Sequence, residues 1–363
     1  MLIFGTRPEA IKMCPLVNEL KAKEGFDVKV CVTGQHKEML MQVLSVFNVV
    51  PDYNLNVMKQ GQTLFDITEK ILHTLKPILE EESPEIVLVH GDTTTSFAAS
   101  VACFYLNIPV GHVEAGLRTY DIYSPFPEEF NRQATSIIAK YHFAPTEAAK
   151  ENLIKEGRKN NIYVTGNTGI DALKTTVKKD FSHPHLDWAS GSRLIMITAH
   201  RRENLGEPMR EMFRAIRRVT EDNENVRVIY PIHMNPAVRD IADIELRECD
   251  RIKICEPYDV VDFHNFLSRS YMILTDSGGI QEEAPSLGKP VLVMRDTTER
   301  PEGVKAGTLK LVGTKEKSIY ESACELLTNE ALYKKMALAK NPYGDGHASE
   351  RIASILEQEL ANI

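Results

Sequence analysis

The sequence predicts an α/β protein built from two Rossmann-like doubly wound domains that face a central cleft. Short apolar runs alternate with amphipathic stretches almost from end to end, and a polar, turn-rich segment at 181–192 interrupts this pattern. Repeated β-α units of this kind form parallel sheets with helices on both faces. A chain of 363 residues also exceeds what one hydrophobic core usually serves. Two domains are therefore expected.

The apolar runs give the order of the predicted strands. In the first half they are 2–4, 28–32, 86–89, 110–113 and 162–164; in the second half they are 194–198, 226–230, 252–255, 272–275 and 291–294. We place the first domain at 1–167 and the second at 168–345, because a strand ends near 166–169 and a connecting helix can start there. Residues 346–363 contain a helical pattern at 348–360, which we expect to cross back to the first domain.

Composition excludes several classes of protein. The formal charge of −8 and the pI near 5.8 argue against a nucleic-acid partner, whose footprint would be basic. No apolar stretch approaches the length of a membrane span, and the first residues are too few for a signal-peptide core, so we expect a cytoplasmic protein without a membrane partner. The six cysteines are scattered without zinc spacing, which favours reduced, mostly buried thiols and no metal.

Three carboxylates follow apolar runs of the first half. Asp92 and Glu114 come just past two successive predicted strands, and Glu128 follows shortly after. Side chains beyond the carboxyl ends of parallel strands point into the crevice where ligands bind. Carboxylates gathered there raise one another's proton affinity, which suits acid and base work. The neighbouring His90 and His112 are expected to orient backbone.

Two turns are candidate anion sites. In the segment 4–12, Pro8 suits a first helical turn, and Arg7 and Lys12 flank a helix N-terminus, whose free N–H groups favour anions. An ordinary βα turn with solvated charges explains this segment equally well.

The second candidate turn lies at 273–285. Here Ser277 is expected to cap a helix, Gly278 and Gly279 to make room for a diphosphate, and Glu283 to accept ribose hydroxyls. Neither turn is a Walker A loop and no Gly-x-Gly-x-x-Gly occurs, so a tightly held NAD is not expected.

Further charged residues follow strands of the second half. His200 directly follows a predicted strand, and Arg300 offers a planar fork that matches phosphate oxygens. A structural role for His233 is as well supported as a functional one. Trp188 and His264 are interpreted as packing residues.

Six segments together resemble the bacterial non-hydrolysing UDP-N-acetylglucosamine 2-epimerases, in order and over essentially the whole chain. These segments are 5–12, 90–94, 112–118, 124–129, 200–203 and 276–283. The resemblance implies a glycosyltransferase-B-like fold, a homodimer, and interconversion of UDP-N-acetylglucosamine and UDP-N-acetylmannosamine without a cofactor. Supply of precursors for cell-surface polysaccharide is the implied role.

The resemblance also assigns residues. Catalytic positions fall to Asp92, Glu114, Glu128 and His200; substrate and UDP positions fall to Arg7, Lys12, His233, Tyr258, Phe263, Ser277, Gly278, Gly279, Glu283 and Arg300. Tyr258 stands where some relatives have Gln. An activator site, in which a second substrate molecule binds, is implied at Gln35, His36, Gln62 and Arg202, although Glu38 and Gly61 depart from the Gln and Arg of some relatives.

The chemistry of the sugar restricts the mechanism. The C2 proton is not adjacent to a carbonyl, so we expect loss of anomeric UDP together with this proton to give 2-acetamidoglucal, followed by protonation from the other face and re-addition of UDP. Carboxylates of tuned pKa suit such proton transfers. Three alternatives stay open: a hydrolysing epimerase that releases N-acetylmannosamine and UDP, a glycosyltransferase, and a non-catalytic UDP-sugar binding protein that exchanges no C2 proton.

Overall fold

The computed structural model describes residues 1–34, 37–57, 59 and 61–361. Their contacts divide the chain into two compact units. The first unit comprises Met1–Thr175 and Tyr343–Ile363, and the second comprises Thr176–Pro342.

The first unit is a seven-stranded parallel sheet in the order β3-β2-β1-β4-β5-β6-β7. Its strands are β1 (Leu2–Phe4), β2 (Val30–Val32), β3 (Tyr53–Asn54), β4 (Val87–His90), β5 (Val110–Val113), β6 (Tyr141–Ala144) and β7 (Ile162–Val164). The order reverses between β1 and β4, which is the switch point where the loops of doubly wound sheets diverge and leave a crevice.

Eight helices belong wholly or mainly to this unit in the described chain. They are α1 (Arg7–Ala22), α2 (Lys37–Val46), α3 (Leu64–Glu82), α4 (Thr94–Tyr105), α5 (Glu128–Ile138), α6 (Glu147–Lys155), α7 (Thr168–Thr176) and α16 (Ala348–Leu360). Central strands are buried on both faces, as parallel strands covered by helices should be. One part of the core packs Ile67, Ile71 and Leu75 of α3 against Val87 and Val89.

The second unit is a six-stranded parallel sheet in the order β10-β9-β8-β11-β12-β13. Its strands are β8 (Arg193–Thr198), β9 (Val226–Pro231), β10 (Ile252–Cys255), β11 (Met272–Thr275), β12 (Val291–Val293) and β13 (Leu309–Leu311). Its helices are α8 (Pro184–Trp188), α9 (Glu207–Asp222), α10 (Pro236–Leu246), α11 (Val260–Arg269), α12 (Gly278–Ser286), α13 (Pro301–Ala306), α14 (Glu316–Thr328) and α15 (Glu330–Ala337).

Apolar side chains cover both faces of the second sheet. On one face, Met209, Phe213 and Ile216 of α9 pack against strand residues such as Val228. On the other, Phe266 of α11 packs in a cluster with residues of β8, β11 and β12. The expected fold class of two Rossmann-like doubly wound units is confirmed.

All ten predicted strands exist, and three strands were not predicted. These three are β3, β6 and β13. β3 has two residues and β13 has three, so neither is long enough to show a periodicity, and Tyr-His-Phe-Ala in β6 mixes polar and apolar residues although all four are buried. Their places in the sheets come from parallel pairing with neighbours that the local sequence does not reveal.

The boundary between the units lies at the end of α7, after Thr175, rather than at residue 167. Asp171 of α7 accepts hydrogen bonds from the main-chain N–H groups of Ala348 (3.2 Å) and Ser349 (2.8 Å), which ties α7 to the start of α16. The C-terminal helix α16 begins and ends where the sequence predicted, and it packs against α1, with Lys23 and Glu357 2.8 Å apart.

Helix hydropathy and the state of the cysteines were the subject of expectations from composition. No helix within the described ranges combines the length and the apolar character needed to cross a membrane. All six cysteines are free thiols, and burial raises the pKa of Cys14, Cys31 and Cys103 to about 12, as expected of thiols that act as small apolar residues.

We predict that Asp171→Ala loosens α16 because two N–H groups of its first turn lose their acceptor. Loss of a helix cap costs about 1 kcal/mol, so amide hydrogen exchange in α16 should become about fivefold faster. The exposed Asp180 supplies the control: Asp180→Ala should leave exchange in α16 unchanged. Equal exchange in wild type and Asp171→Ala would contradict the capping role.

Candidate functional site

Glu9 joins two loops at the carboxyl edge of the first sheet. Thr6 is the N-cap of α1, and its hydroxyl and the Glu9 carboxylate form a capping box. Glu9 Oε2 accepts from the N–H groups of Gly5 (3.0 Å) and Thr6 (2.7 Å), and Oε1 accepts from the Thr93 hydroxyl (2.7 Å). The start of α1 is thereby fixed to the loop that carries Asp92. Pro8 lies in the first turn of α1, as predicted.

Glu114 is held at this edge by an ion pair and a hydrogen bond. It follows β5 with a φ of +62°, a left-handed conformation that is unfavourable for a residue with a side chain. Lys12 of α1 forms an ion pair with its Oε2, and the Asn167 amide donates to the same oxygen at 2.8 Å. His90 Nε2 lies 3.6 Å from it, beyond hydrogen-bond distance.

These neighbours determine the ionisation of Glu114. Burial alone would raise the pKa of this carboxyl, but the positive charge of Lys12 and the nearby His90 outweigh burial and hold the pKa well below its ordinary value. Glu114 is therefore an anion across the physiological range. It can accept a proton in a reaction, but it does not store one beforehand.

Asp92 is held by side chains of α5, the helix that begins with Glu128. Arg132 forms an ion pair with Asp92 and lies 3.3 Å from Glu129, while the Asn131 amide donates to the Asp92 carbonyl at 2.9 Å. Glu128 is the first residue of α5 and is half-buried; within the described ranges its carboxylate has no ion-pair partner. Gly91, beside Asp92, is close enough to Glu114 that an added Cβ would contact Oε1 at 3.6 Å. The structure thus brings Asp92 and Glu114 together at one edge and places Glu128 at the start of the helix whose Arg132 pairs with Asp92.

His112 stabilises the loop that carries Asp92. It is fully buried on β5, and its Nε2 donates to the Gly91 carbonyl at 2.7 Å. Burial lowers its pKa to about 3, so the ring is neutral at ordinary pH. The predicted backbone-orienting role of His112 is confirmed by this contact.

Asp276 has the corresponding role in the second unit. This buried carboxylate follows β11, and its Oδ2 accepts from the main-chain N–H groups of His200 and Arg201, both at 2.9 Å, and from the Asn204 amide at 3.2 Å. The Thr198 and Thr275 hydroxyls pair across the strand ends. The loop of His200 is thereby fixed to the start of α12.

The prediction that the Ser277 side chain caps α12 is wrong. Ser277 is the N-cap by backbone conformation, but its hydroxyl makes no capping hydrogen bond. Its own N–H donates instead to the Thr275 hydroxyl at 2.9 Å, which turns the chain into the helix. Gly278 and Gly279 form the first turn. A helix start without a side-chain cap suits an external acceptor such as a phosphate.

Arg300 lies directly over this helix start. An added Cβ on Gly278 would be 2.8 Å from the Arg300 guanidinium carbon, so only glycine permits the approach. Glu282 accepts from Arg300 Nε at 2.7 Å, and Glu299 lies 3.6 Å from Nη1. Glu299 also binds Arg295, at 2.7 Å between Oε2 and Nη1. Two carboxylates thus orient the cation that the sequence predicted to bind phosphate.

The nucleoside-side candidates lie around α11. Tyr258 stacks on Phe266 with ring centroids 4.4 Å apart, and its hydroxyl pairs with His185 Nδ1 at 2.6 Å. Phe263 is partly buried against the same cluster. The next residue, His264, is buried, pairs with the Thr176 hydroxyl at 2.7 Å and faces Glu283 at 3.5 Å. His264 therefore orients another side chain besides packing.

His200 and His233 form a pair of exposed rings with centroids 5.4 Å apart. Burial of part of the ring and the nearby His200 lower the pKa of His233. Its Nδ1 accepts from the Asn235 N–H at 3.1 Å. His233 is thus structurally engaged and still adjacent to the predicted diphosphate-side histidine.

The activator candidates are only partly described. Gln35 and His36 lie outside the described residues. The Gln62 amide accepts from the Lys59 N–H (2.6 Å) and donates to the Val57 carbonyl (2.7 Å), which holds the loop before α3. Arg202 is exposed in a short helical turn after β8. In the part of the chain that the structure describes, no group of three or more His, Cys, Asp or Glu side chains is placed to hold a metal.

Several residues of these two edges were not predicted, and five of them hold the predicted residues or their loops in place. They are Glu9, Arg132, Asn167, Asp276 and Glu282. The Thr6-x-x-Glu9 spacing of a capping box was a detectable signal for Glu9, and Arg132 follows Glu128 by one helical turn. For the other three the partners are distant in sequence and no local pattern indicates them.

Two doubly wound parallel sheets, each with charged loops at its carboxyl edge and one with an open helix start, define an α/β protein of the nucleotide-binding type. A family model described as UDP-N-acetylglucosamine 2-epimerase matches residues 18–357. The chain belongs to this family.

Individual relatives are similar over nearly the full length. The UDP-N-acetylglucosamine 2-epimerase of Bacillus subtilis is 60% identical over 98% of this chain and 94% of its own. The S. aureus MnaA–UDP structure superposes with a TM-score of 0.92 at 53% identity, covering 100% of this chain and 97% of that one.

A Neisseria meningitidis UDP-GlcNAc 2-epimerase solved with UDP-GlcNAc gives a TM-score of 0.91 at 49% identity, over 98% of this chain and 99% of that one. The predicted glycosyltransferase-B-like fold class is confirmed by these similarities.

We predict that His112 makes the protein less stable in mild acid. The unfolded chain binds a proton at His112 below about pH 6.5, whereas the folded chain binds it only near pH 3. Stability from this residue is therefore fully present above pH 6.5 and is lost as pH falls. His112→Gln should flatten the fall in unfolding free energy between pH 6.5 and 4 by up to about 1.4 kcal/mol per pH unit.

The measurement is urea unfolding at a series of pH values, followed by hydrogen exchange of the strand amides in the first sheet. The control is His73→Gln, because His73 is exposed on α3; its pH dependence should match that of wild type. Parallel pH curves for wild type and His112→Gln would refute the assignment.

Proposed function

We propose that this chain interconverts UDP-N-acetylglucosamine and UDP-N-acetylmannosamine by reversible epimerisation at C2, without hydrolysis. The observation that carries the proposal is the set of carboxylates at the first sheet edge, Asp92, Glu114 and Glu128, in a member of the UDP-N-acetylglucosamine 2-epimerase family. Two of the three are paired with cations from helices, Glu114 with Lys12 and Asp92 with Arg132. Relatives named for this activity match nearly the entire chain.

The reaction proceeds by elimination and addition. A carboxylate accepts the C2 proton while the bond from C1 to the UDP oxygen breaks, and the electron pair leaves with UDP. The product is 2-acetamidoglucal, with a double bond between C1 and C2. A proton then returns to C2 from the opposite face, and UDP re-forms the bond to C1. The elimination and the addition cause no net change in oxidation state, so the reaction consumes no oxidant or reductant.

Proton transfer is the work of the first unit. We assign the two transfers to Asp92 and Glu114, with Glu128 assisting. Glu114 is ionised because Lys12 and His90 outweigh the effect of burial on its pKa, so it is ready to accept a proton. Asp92 is oriented by Arg132 and by the loop contacts of Asn131 and His112. Positioned acids and bases contribute about 10²–10⁴-fold to rate.

Stabilisation of the leaving UDP is the work of the second unit. The start of α12 offers N–H groups without a side-chain cap, and Arg300 and His200 add donors beside it. Charge that develops on the departing diphosphate is stabilised by groups fixed in advance. Glu283 is suited to accept ribose hydroxyls, and Phe263 to contact the base. The S. aureus relative was solved with UDP.

A homodimer is the second part of the proposal. Large apolar side chains are exposed on α4 and α5: Phe104, Tyr105, Phe130 and Ile137. The two helices lie against each other and are joined by Phe97 and Phe130, whose rings are 5.5 Å apart. Contiguous exposed apolar surface marks an interaction site, and a second copy presents the same surface to itself across a twofold axis.

We predict solvent deuterium at C2 when the protein is incubated with UDP-N-acetylglucosamine in deuterated water, because the proton must leave and return. NMR should show deuterium at C2 of both UDP-sugars, with the nucleotide still attached. Glu114→Gln should slow the exchange about 10²–10⁴-fold. Glu151→Gln, an isosteric change at an exposed glutamate of α6, is the matched control and should exchange like wild type.

Other products would identify the alternative functions. Free N-acetylmannosamine with UDP would indicate a hydrolysing enzyme. Binding of UDP-N-acetylglucosamine with no C2 exchange by wild type would indicate a binding protein and would overturn the proposal.

We predict that Ile137→Glu converts the protein to a monomer, since a charge would be buried within the apolar surface that the two copies share. Light scattering coupled to size-exclusion chromatography measures the mass. Ile244→Glu on α10 is the matched control, because Ile244 is 61% exposed and Ile137 is 64% exposed; it should remain a dimer. A wild-type mass of one chain would end this part of the proposal.

A further inference from the structure

Asn167 uses both ends of its side-chain amide. It lies between β7 and α7 and is buried. Its Nδ2 donates to Glu114 Oε2 at 2.8 Å, and its Oδ1 accepts from the Gly169 N–H at 2.8 Å. A carboxylate only accepts and a main-chain N–H only donates, so these partners fix the orientation of the amide.

The main chain of Asn167 is held by the segment that returns from the second unit. Its N–H donates to the carbonyl of Tyr343 at 2.7 Å, and Tyr343 is the first residue of the returning segment. Gly166 and Gly344 have φ values of +92° and +136°. An added Cβ on Gly166 would be 3.3 Å from Gly344 Cα, so the loop before α7 and the returning segment lie in close contact.

We propose that Asn167 is a positioning residue for epimerisation: it orients the Glu114 carboxylate and connects that orientation to the returning segment that begins at Tyr343. The role rests on the proposed function. Lys12 supplies positive charge to the same oxygen, but an ammonium on a flexible stem is a rotatable point charge. The amide of Asn167, fixed at both ends, gives direction to a carboxylate whose own backbone is left-handed.

This arrangement also links the protonation of Glu114 to Asn167. The groups that face the carboxylate are Lys12 from α1, His90 at the end of β4, the Gly91 backbone, and the Asn167 amide. A hydrogen bond to the ionised form lowers a carboxyl pKa, so removal of the Asn167 donor raises it. The acid limb of the kcat–pH profile must then move to higher pH.

The first test compares Asn167→Ala and Asn167→Asp with wild type in the C2-exchange assay across pH. Loss of a residue that orients a metal ligand typically lowers activity 10–100-fold, and we expect an effect of the same order for a residue that orients a reacting carboxylate. We expect kcat to fall by this factor, KM to change less than threefold, and the acid limb to move upward. The movement should be larger for Asn167→Asp, which places a second negative charge beside Glu114 and donates no hydrogen bond.

The second test changes the returning segment and leaves Glu114 and Asn167 in place. Gly344→Ala places a Cβ 3.4 Å from the Asn167 nitrogen at a φ that disfavours side chains. It should reproduce the loss of kcat and the movement of the acid limb in smaller degree. Gly157→Ala is the matched control: Gly157 has a φ of +84° in the same unit, and no atom lies within 4 Å of the added Cβ. Its kinetics should match those of wild type.

The outcomes separate the two levels of inference. Wild-type protein that binds UDP-N-acetylglucosamine without C2 exchange overturns the proposed function and this role with it. Active wild type with an unchanged kcat and acid limb in the Asn167 variants overturns this role alone. So does a loss of activity that accompanies a lower melting temperature and an unmoved acid limb, because that result indicates only a structural role. If Asn167→Ala does not fold, Asn167→Asp and Gly344→Ala decide the question by the same criteria.

Discussion

The ion pair between Lys12 and Glu114 is the interaction on which the first sheet edge depends. An ionised carboxylate removed from water is costly unless a cation and hydrogen bonds compensate for the lost hydration. Lys12 comes from α1, so the pair joins the first helix of the chain to the end of β5. It also fixes the charge state of Glu114 before any ligand binds. The same ion pair therefore fixes the position of α1 and the charge of the carboxylate at this edge.

The acidic residues near the two sheet edges fall into two groups: some fix the backbone, and others remain accessible to a ligand. Glu9 in the first unit and Asp276 in the second are buried. Both oxygens of Glu9 accept from donors of two loops, whereas Asp276 accepts from one loop through Oδ2 alone, and in the described part of the chain its Oδ1 has no hydrogen-bond partner. Both carboxylates fix main-chain N–H groups in place. Asp92, Glu114 and Glu128 keep part of their surface accessible or face only side chains. The partners that a carboxylate's oxygens already bind therefore indicate whether it fixes the backbone or is available to react.

Much of the fold was predictable because buried parallel strands have a local signal in the sequence, a short continuous run of apolar residues. Runs such as 86–89 and 291–294 are continuous and apolar, since helices cover both faces of those strands. Loop residues at strand ends, including Asp92, Glu114 and His200, followed from the same rule. The partners of these residues were not predictable, because Asn167 is far from Glu114 in sequence and Asp276 is far from His200. Pairing across a sheet edge is decided by three-dimensional proximity, which spacing along the chain does not encode.

The contact between Arg300 and Gly278 has a consequence for the entropy of ligand binding. A free arginine samples many rotamers, and ordering it on a ligand costs about 0.5–1.5 kcal/mol. Here Glu282 holds the guanidinium from one side and the missing Cβ of Gly278 admits it from the other, so the side chain is immobilised when the protein folds. The conformational entropy of Arg300 is therefore lost on folding and not on ligand binding. An arriving anion meets a preorganised donor, and more of its interaction energy remains as affinity.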